Sequence, residues 1–346
     1  MELTKRKIFN PDGDDTKKSV VNANTTNLIQ LNRIKYQDIY QIDKIMEDNF
    51  WLPEKIDVTG EKECFNNRLQ PEEREVYEII ISFLTFLDSI QTTNIPSNLS
   101  AYFTASEIIA ALTTQAFFEK IHVRSYQYLL NSIFDSDEKK DEVYNKYKVF
   151  KPLYERTLYV GGWYQRFQDE QTPEAFLQAL FADYILEAIY FYNSFNFFYN
   201  LAYRNLMVGT KDVIRKINID ENLHVALYGK IIKHYIRENN LEGSYDILIE
   251  MVKEAVEKEI MFMNVVIGDK ILGINSNTIE NYTKSLANRR LTTFGISNIY
   301  SNVKDPYTHL KGLAGEGNQS KSKINFFESN PTNYNMSTVV GGWDKL

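Results

Sequence analysis

Apolar residues recur at helical spacing from about residue 36 to residue 295, and no convincing run alternates with the period of two that a strand requires. Glycine and proline fall mostly at the ends of these stretches. Pro71, followed by Glu72, Glu73 and Glu75, marks a helix start with acids suited to its first turn, and that helix runs through Asp88 to about Gln91. Thr104 with Glu107 has the form of a capping box before a helix reaching about Phe134. A shorter, charged helix is expected from Asp137 to Tyr147. Thr172-Pro173-Glu174 starts a further helix, expected to run to about Met207, with Gly209 ending it. Thr210 starts the next, which ends near Asn239-Asn240, and others are expected from Ser244 to Ile267 and from Asn277 to Arg290. The body therefore reads as one all-α domain.

Outside this body the pattern fades. Residues 1–30 hold Pro11-Asp12-Gly13-Asp14-Asp15 and a run of Asn and Thr, the composition of a flexible leader. Beyond about Ser301 the helical signal is lost, and Gly312 to Lys323, rich in Gly, Ser and Lys, reads as a flexible linker. Ile324 to Leu346 then forms a short tail carrying Phe326, Phe327, Tyr334 and Trp343. The expected organisation is a leader over 1–30, a helical domain over 31–300 and a C-terminal tail over 301–346. No internal repeat stands out at the level of residue identity.

Composition removes several function classes. The net charge of −7 comes from acids and bases interspersed through the body, which gives no electrostatic case for nucleic-acid binding. The single cysteine, Cys64, excludes an internal disulfide and a cysteine-based metal site, and reads as an inert small hydrophobe. Met1 to Asp15 is polar and charged, unlike a signal peptide, so the expected compartment is cytoplasmic. Tyr184 to Tyr203 is long enough to span a bilayer, but Glu187, Asn193, Asn196 and Asn200 within it favour a buried helix of a soluble protein, and no membrane partner is expected. With 23 Tyr and 21 Phe, a tyrosine near any given site is weak evidence by itself.

The candidate chemistry lies in the histidines. There are four, and two of them fall in Glu-x-x-His: Glu119-Lys-Ile-His122 and Glu221-Asn-Leu-His224. On a helix this spacing puts carboxylate and imidazole on one face. Two further apolar helices each carry an isolated acid, Asp88 and Glu187. Burying an unpaired carboxylate is costly, so partners are expected. The plainer reading is a set of i,i+3 pairs on solvated faces; two pairs among four histidines, both on apolar helices, stand against it. Four helices contributing these six residues match the pattern of a di-iron or di-manganese carboxylate bundle, with Asp in one of the lone Glu positions. Four carboxylates offset most of the charge of two divalent cations and can bridge them, and carboxylate with imidazole suits iron or manganese better than zinc. The expected fold is a ferritin-like helical bundle with a di-metal carboxylate site in its core.

Four segments, Leu87-Asp-Ser-Ile-Gln91, Glu119-Lys-Ile-His-Val-Arg-Ser-Tyr126, Leu186-Glu-Ala-Ile-Tyr-Phe-Tyr192 and Asp220-Glu-Asn-Leu-His224, closely resemble the small subunit of class I ribonucleotide reductase. The resemblance covers about residues 36 to 300. It implies that Asp88, Glu119 and His122 hold one metal and Glu187, Glu221 and His224 the other, with Glu119 and Glu221 shared or bridging. It implies two iron ions per chain as a di-iron-oxo cluster, with a di-manganese form as the alternative. It makes Tyr126 the radical tyrosine; spacing alone puts Tyr126 on the face of Glu119 and His122, about one turn beyond the metal, and leaves a plain core aromatic equally open. Phe191, Phe195 and Ile217 match the family's apolar wall around that tyrosine. Asp220 is implied to accept a hydrogen bond from His122 and so fix its tautomer, and Trp51 to continue this chain toward the surface.

In the tail, Asn325-Phe-Phe-Glu328 and Tyr334 resemble the family's C-terminal segment. Tyr334 is implied as a relay tyrosine, and the last residues, including Trp343, as the part that docks on the large (alpha) subunit. A homodimer is implied as well. Gln115 departs from members with tryptophan there, and an amide can hydrogen-bond to a ligand carboxylate equally well. The implied function is an oxygen-activating di-metal site that generates a tyrosyl radical, which the large subunit uses to reduce ribonucleotides to deoxyribonucleotides. The absence of a Gly-rich phosphate loop agrees with substrate binding elsewhere. Another ferritin-like oxidase or desaturase would leave Tyr126, Asp220 and the Phe327 to Tyr334 segment unexplained. An iron-storage chain is typically shorter. A metal-free helical scaffold would fail to bind metal.

Overall fold

The apolar stretches form helices that bury one side against each other in the computed structural model, which describes residues 2–315. In chain order these are α1 (Gln37–Asp48), α2 (Pro71–Asn94), α3 (Ser106–Ile133), α4 (Asp137–Tyr144), α5 (Lys151–Glu170), α6 (Pro173–Ile185), α7 (Tyr192–Tyr203), α8 (Val208–Asn239), α9 (Tyr245–Val266) and α10 (Ser276–Leu291). No strand occurs among the described residues; the one isolated bridge pairs Val21 with Phe103. The architecture is an all-α bundle. α2 lies along α3, α8 packs on α1, α3, α6 and α7, and α9 covers α5, α6 and α10.

Two starts form as the sequence implies. Pro71 opens α2, with the Gln70 amide donating to Glu73 Oε2 at 3.0 Å. Thr172 caps α6 by accepting from the Ala175 amide at 3.1 Å. The Thr104–Glu107 capping box does not form. Thr104 Oγ1 donates instead to the Ser19 carbonyl, and Glu107 accepts from the backbone amides of Lys35 and Tyr36.

Those two residues are occupied by the N-terminal segment, which corrects the expectation of a flexible leader. Residues 2–30 carry no helix but are strapped across the bundle. Leu3, Val20 and Val21 are buried. The Lys18 ammonium is buried too, donating to the carbonyls of Gln30 and Arg33 and to Ser106 Oγ, and pairing with Glu107 at 2.9 Å. A buried charge is tolerable when its hydrogen bonds and its counter-charge are all supplied, as here.

The single helix expected from Thr172 to Met207 is divided. After α6 the chain makes one wide π turn, Leu186–Tyr190, before α7 resumes at Tyr192. Such turns insert a residue into the helical ladder and recur at functional sites. The chain then reverses through Asn205 and Met207, both with positive φ, so Gly209 does not end a helix but sits in the first turn of α8. The reason for glycine there is contact: a Cβ would lie 2.7 Å from the Asp57 carbonyl oxygen and 2.9 Å from Val58 Cα. Among the described residues, one helical run, Pro173–Tyr203, is long and apolar enough to cross a membrane, and it is buried inside the bundle almost throughout. α5 is a helix that the apolar pattern does not announce, since Gly161-Gly162 interrupts it.

Candidate metal centre

Glu119 and His122 project from α3, and Glu221 and His224 from α8. Asp88 comes from α2 and Glu187 from the π turn. All six are fully buried. They form two overlapping groups, Asp88, Glu119, His122 and Glu221, and Glu119, Glu187, Glu221 and His224, each with its ligand atoms within 4.8 Å of one another. Glu119 and Glu221 belong to both groups, the geometry a shared carboxylate needs.

Each histidine turns Nδ1 into the cluster. His122 Nδ1 lies 3.1 Å from Glu221 Oε1 and 3.6 Å from Glu119 Oε2. His224 Nδ1 lies 3.0 Å from Glu221 Oε2 and 3.1 Å from Glu119 Oε1. Burial alone would lower both imidazoles. The carboxylates opposite win, Glu221 foremost at His122 and Glu119 at His224, and hold both well above the usual histidine range. Burial, reinforced by the charges of Glu119 and Glu221, pushes the Asp88 and Glu187 carboxyls up. At Glu221 burial works the same way, but the charge of His122 overrides it and holds this carboxyl below its usual range. Without cations, then, protons must neutralise the cluster.

The donor set fits two metal ions. Both oxygens of Asp88, Glu119 Oε2, Glu187 Oε2, Glu221 Oε1 and His122 Nδ1 are buried without a hydrogen bond. Buried polar atoms are rarely left so, and metal coordination satisfies them. Amides hold the outer side: Gln91 Nε2 and Gln115 Nε2 each donate to Glu187 Oε1 at 3.1 Å, and Gln115 also reaches Glu119 Oε1 at 3.3 Å. Gln115 thus does what an amide at this position was expected to do. Gln91 is a support the sequence did not single out.

Around the cluster, Tyr126 is fully buried, and its phenol is pushed well above its usual range by burial and by Asp88 beside it. Phe191, Phe195 and Ile217 are buried as well. Asp220 Oδ2 lies 3.1 Å from His122 Nε2 and accepts from Trp51 Nε1 at 2.7 Å. The Trp51 ring is stacked on His122, with centroids 6.4 Å apart. Of the other histidines, His234 pairs with Asp38 and His309 packs on Tyr203; neither joins the centre. Phe326, Phe327, Tyr334 and Trp343 lie outside the described residues.

Residues 28–306 match the profile of the family described as ribonucleotide reductase, small chain. The chain belongs to the class I ribonucleotide reductase small-subunit family. It is similar to the ribonucleoside-diphosphate reductase subunit beta of Treponema pallidum, with 36% identity over 98% of this chain and 97% of that one. Its structure is similar to that of the ribonucleotide reductase R2 subunit from Clostridium botulinum, with a TM-score of 0.85 and 37% identity over 91% of this chain and 99% of that one. Streptococcus sanguinis dimanganese(II)-NrdF has the same fold, at a TM-score of 0.72 and 18% identity over 83% of this chain and 99% of that one. Ribonucleotide reductase is an oxidoreductase, and the buried carboxylate–histidine cluster is where a small subunit of that enzyme would carry its metal.

Proposed function

We propose that this small subunit generates a radical on Tyr126 and passes it to the large subunit of a class I ribonucleoside-diphosphate reductase. The observation that carries the reading is the double use of Asp220 Oδ2, which joins the Trp51 indole to the imidazole of His122. A plain oxidase has no need of a hydrogen-bonded aromatic leading away from its metal. Bound iron or manganese would supply the oxidising power, after reaction with oxygen, that removes an electron from Tyr126. Iron and manganese both suit these ligands, and a solved protein of this fold is named for two manganese ions.

The chain's own residues do the rest. Asp88, Glu119 and His122 would hold one ion and Glu187, Glu221 and His224 the other. Asp220 fixes the His122 ring with Nε2 toward itself and Nδ1 toward the cluster. Trp51, 7% exposed, is the point of this path nearest solvent. Tyr334 is assigned the next relay position and the chain end the docking role, on the resemblance of their segment. The same resemblance supports a homodimer working in the cytoplasm.

Metal-free protein loaded with Fe(II) and exposed to oxygen is expected to show a persistent tyrosyl signal by electron paramagnetic resonance. Tyr126→Phe is expected to keep its metal and lose that persistent signal. Protein with two bound metals per chain and no signal would call for manganese loading with a flavoprotein activase; silence there too would end the reading. Asp220→Asn is expected to leave the radical in place and lower turnover with the large subunit by about 10–100-fold. An unchanged turnover would remove Asp220 and Trp51 from the path.

A further inference from the structure

Tyr126 has a counterpart. Glu119-Lys-Ile-His-Val-Arg-Ser-Tyr126 and Glu221-Asn-Leu-His-Val-Ala-Leu-Tyr228 carry glutamate, histidine, valine and tyrosine at the same spacing. One segment lies in α3 and the other in α8, and the two helices pack on each other. Each tyrosine therefore stands about one turn beyond a histidine of the cluster. Both are fully buried. Tyr126 stands beside Asp88; Tyr228 stands beside Asp183, with Glu187 and Glu119 the next charges it meets. The cluster thus has one tyrosine at its Asp88 half and one at its Glu187 half.

The surroundings of the second tyrosine are more polar. Asp183, in α6 one turn before Glu187, is fully buried and takes no part in the ligand set. The hydroxyls of Tyr164 and Tyr228 both face it. Asp183 Oδ2 and these two hydroxyls are each buried without a hydrogen bond. Asp183 Oδ1 accepts from Asn94 Nδ2 at 3.3 Å, and Asn94 Oδ1 accepts from Asn98 Nδ2 at 3.0 Å. Asn98 is only half-buried, so the polar side chains lead from Asp183 toward solvent. Burial pushes the Asp183 carboxyl up to about 8. A group that titrates near neutral pH both takes and returns a proton readily. An acid buried in the core with no counter-charge and one oxygen unpartnered is costly, and a role in proton exchange accounts for it.

We propose that Tyr228 is a second oxidisable tyrosine of this centre, with Asp183 as the acceptor of its proton. The inference rests on the reading that the loaded centre oxidises Tyr126. In the step, the Tyr228 O–H bond breaks, the proton passes to Asp183 Oδ2, and one electron passes to the oxidised metal pair, which is reduced by one electron. An oxidising equivalent that misses Tyr126 then has a defined destination, and the metal-binding side chains are spared. The radical on Tyr228 is short-lived because its surroundings are polar and lead toward solvent, whereas the wall around Tyr126 is apolar.

The test is full-length Tyr126→Phe protein loaded with Fe(II), mixed with oxygen and freeze-quenched at intervals for electron paramagnetic resonance. A transient tyrosyl signal is expected, narrowed when the protein carries ring-deuterated tyrosine and absent from Tyr126→Phe/Tyr228→Phe. Adding Asp183→Asn to Tyr126→Phe is expected to reduce it several-fold. Metal content is expected to be equal in all variants, which separates a lost radical from a lost site. Full metal with no transient in Tyr126→Phe, or the same transient in the double variant, would overturn the proposal. A wild-type protein that holds metal yet forms no radical, with iron or with manganese and its activase, would overturn the reading beneath it as well, so the two failures are distinguishable.

Discussion

Chelating the metal is expected to lower the thermal midpoint by roughly 5–10 °C, and Glu221→Ala is expected to give a protein that the chelator no longer affects. Four carboxylates and two imidazoles share a space that water does not reach. Without cations, protons must fill the cluster, and several polar atoms stay unpaired. A ligand present at a thousand times its dissociation constant adds about 4 kcal/mol to the folded state. For a chain of this size each kcal/mol moves the midpoint by about 2 °C. Glu221 stands in both ligand groups, so its loss takes an oxygen from each metal position rather than weakening one. Calorimetry with and without chelator, together with elemental analysis, reads both effects. A chelator-dependent shift that persists in Glu221→Ala would show that the metal sits elsewhere.

Arg156→Ala is expected to cost about 3–5 kcal/mol of stability. Arg156 Nη2 meets Glu259 Oε2 at 2.8 Å, with both side chains buried between α5 and α9. Glu259 also accepts from Asn193 Nδ2 at 3.1 Å, and Asn193 reaches Thr283 Oγ1 at 2.9 Å, tying α7 and α10 into the same knot. The guanidinium lies 3.7 Å from the ring centre of Tyr190, the last residue of the π turn. Removing the arginine leaves a buried carboxylate that burial already pushes up. Replacing both partners, as Arg156→Met/Glu259→Leu, is expected to recover most of the loss, because the larger penalty is the unpaired charge. Urea unfolding midpoints decide it. A loss below about 1 kcal/mol in Arg156→Ala would place the pair among weak surface-like ion pairs.

The six ligand candidates were legible in the sequence because a helix has a fixed period. Spacing alone brings Glu119 to His122 and Glu221 to His224, and an isolated acid in an apolar run, such as Asp88, must find a partner inside. Asp183 carries the same signal in the same run as Glu187, and no histidine stands at helical spacing from either to tell the two apart. Tyr228 was hidden by abundance, since one tyrosine among 23 draws no attention until its spacing from His224 is compared with that of Tyr126. The N-terminal strap was illegible for a different reason. Its residues are polar, and nothing local shows that Lys18 will find Glu107, 89 positions away. The Thr104–Glu107 pair misled because a local motif was outbid by distant partners. The π turn escaped because periodicity averaged over a window cannot register one extra residue.

That extra residue has a consequence for how the gene can change. One residue turns an α-helix by about 100°. Removing any single codon between 186 and 190 would restore ordinary helical winding, but it would swing either Glu187 away from the cluster or Asn193 away from Glu259. No point substitution elsewhere could compensate, because the error would be one of phase rather than of side-chain identity. The helical phase of this short stretch is therefore fixed on both sides, by Glu187 within the turn facing the cluster and by the buried hydrogen-bond network of Asn193 after it, and its length should vary far less freely than its letters.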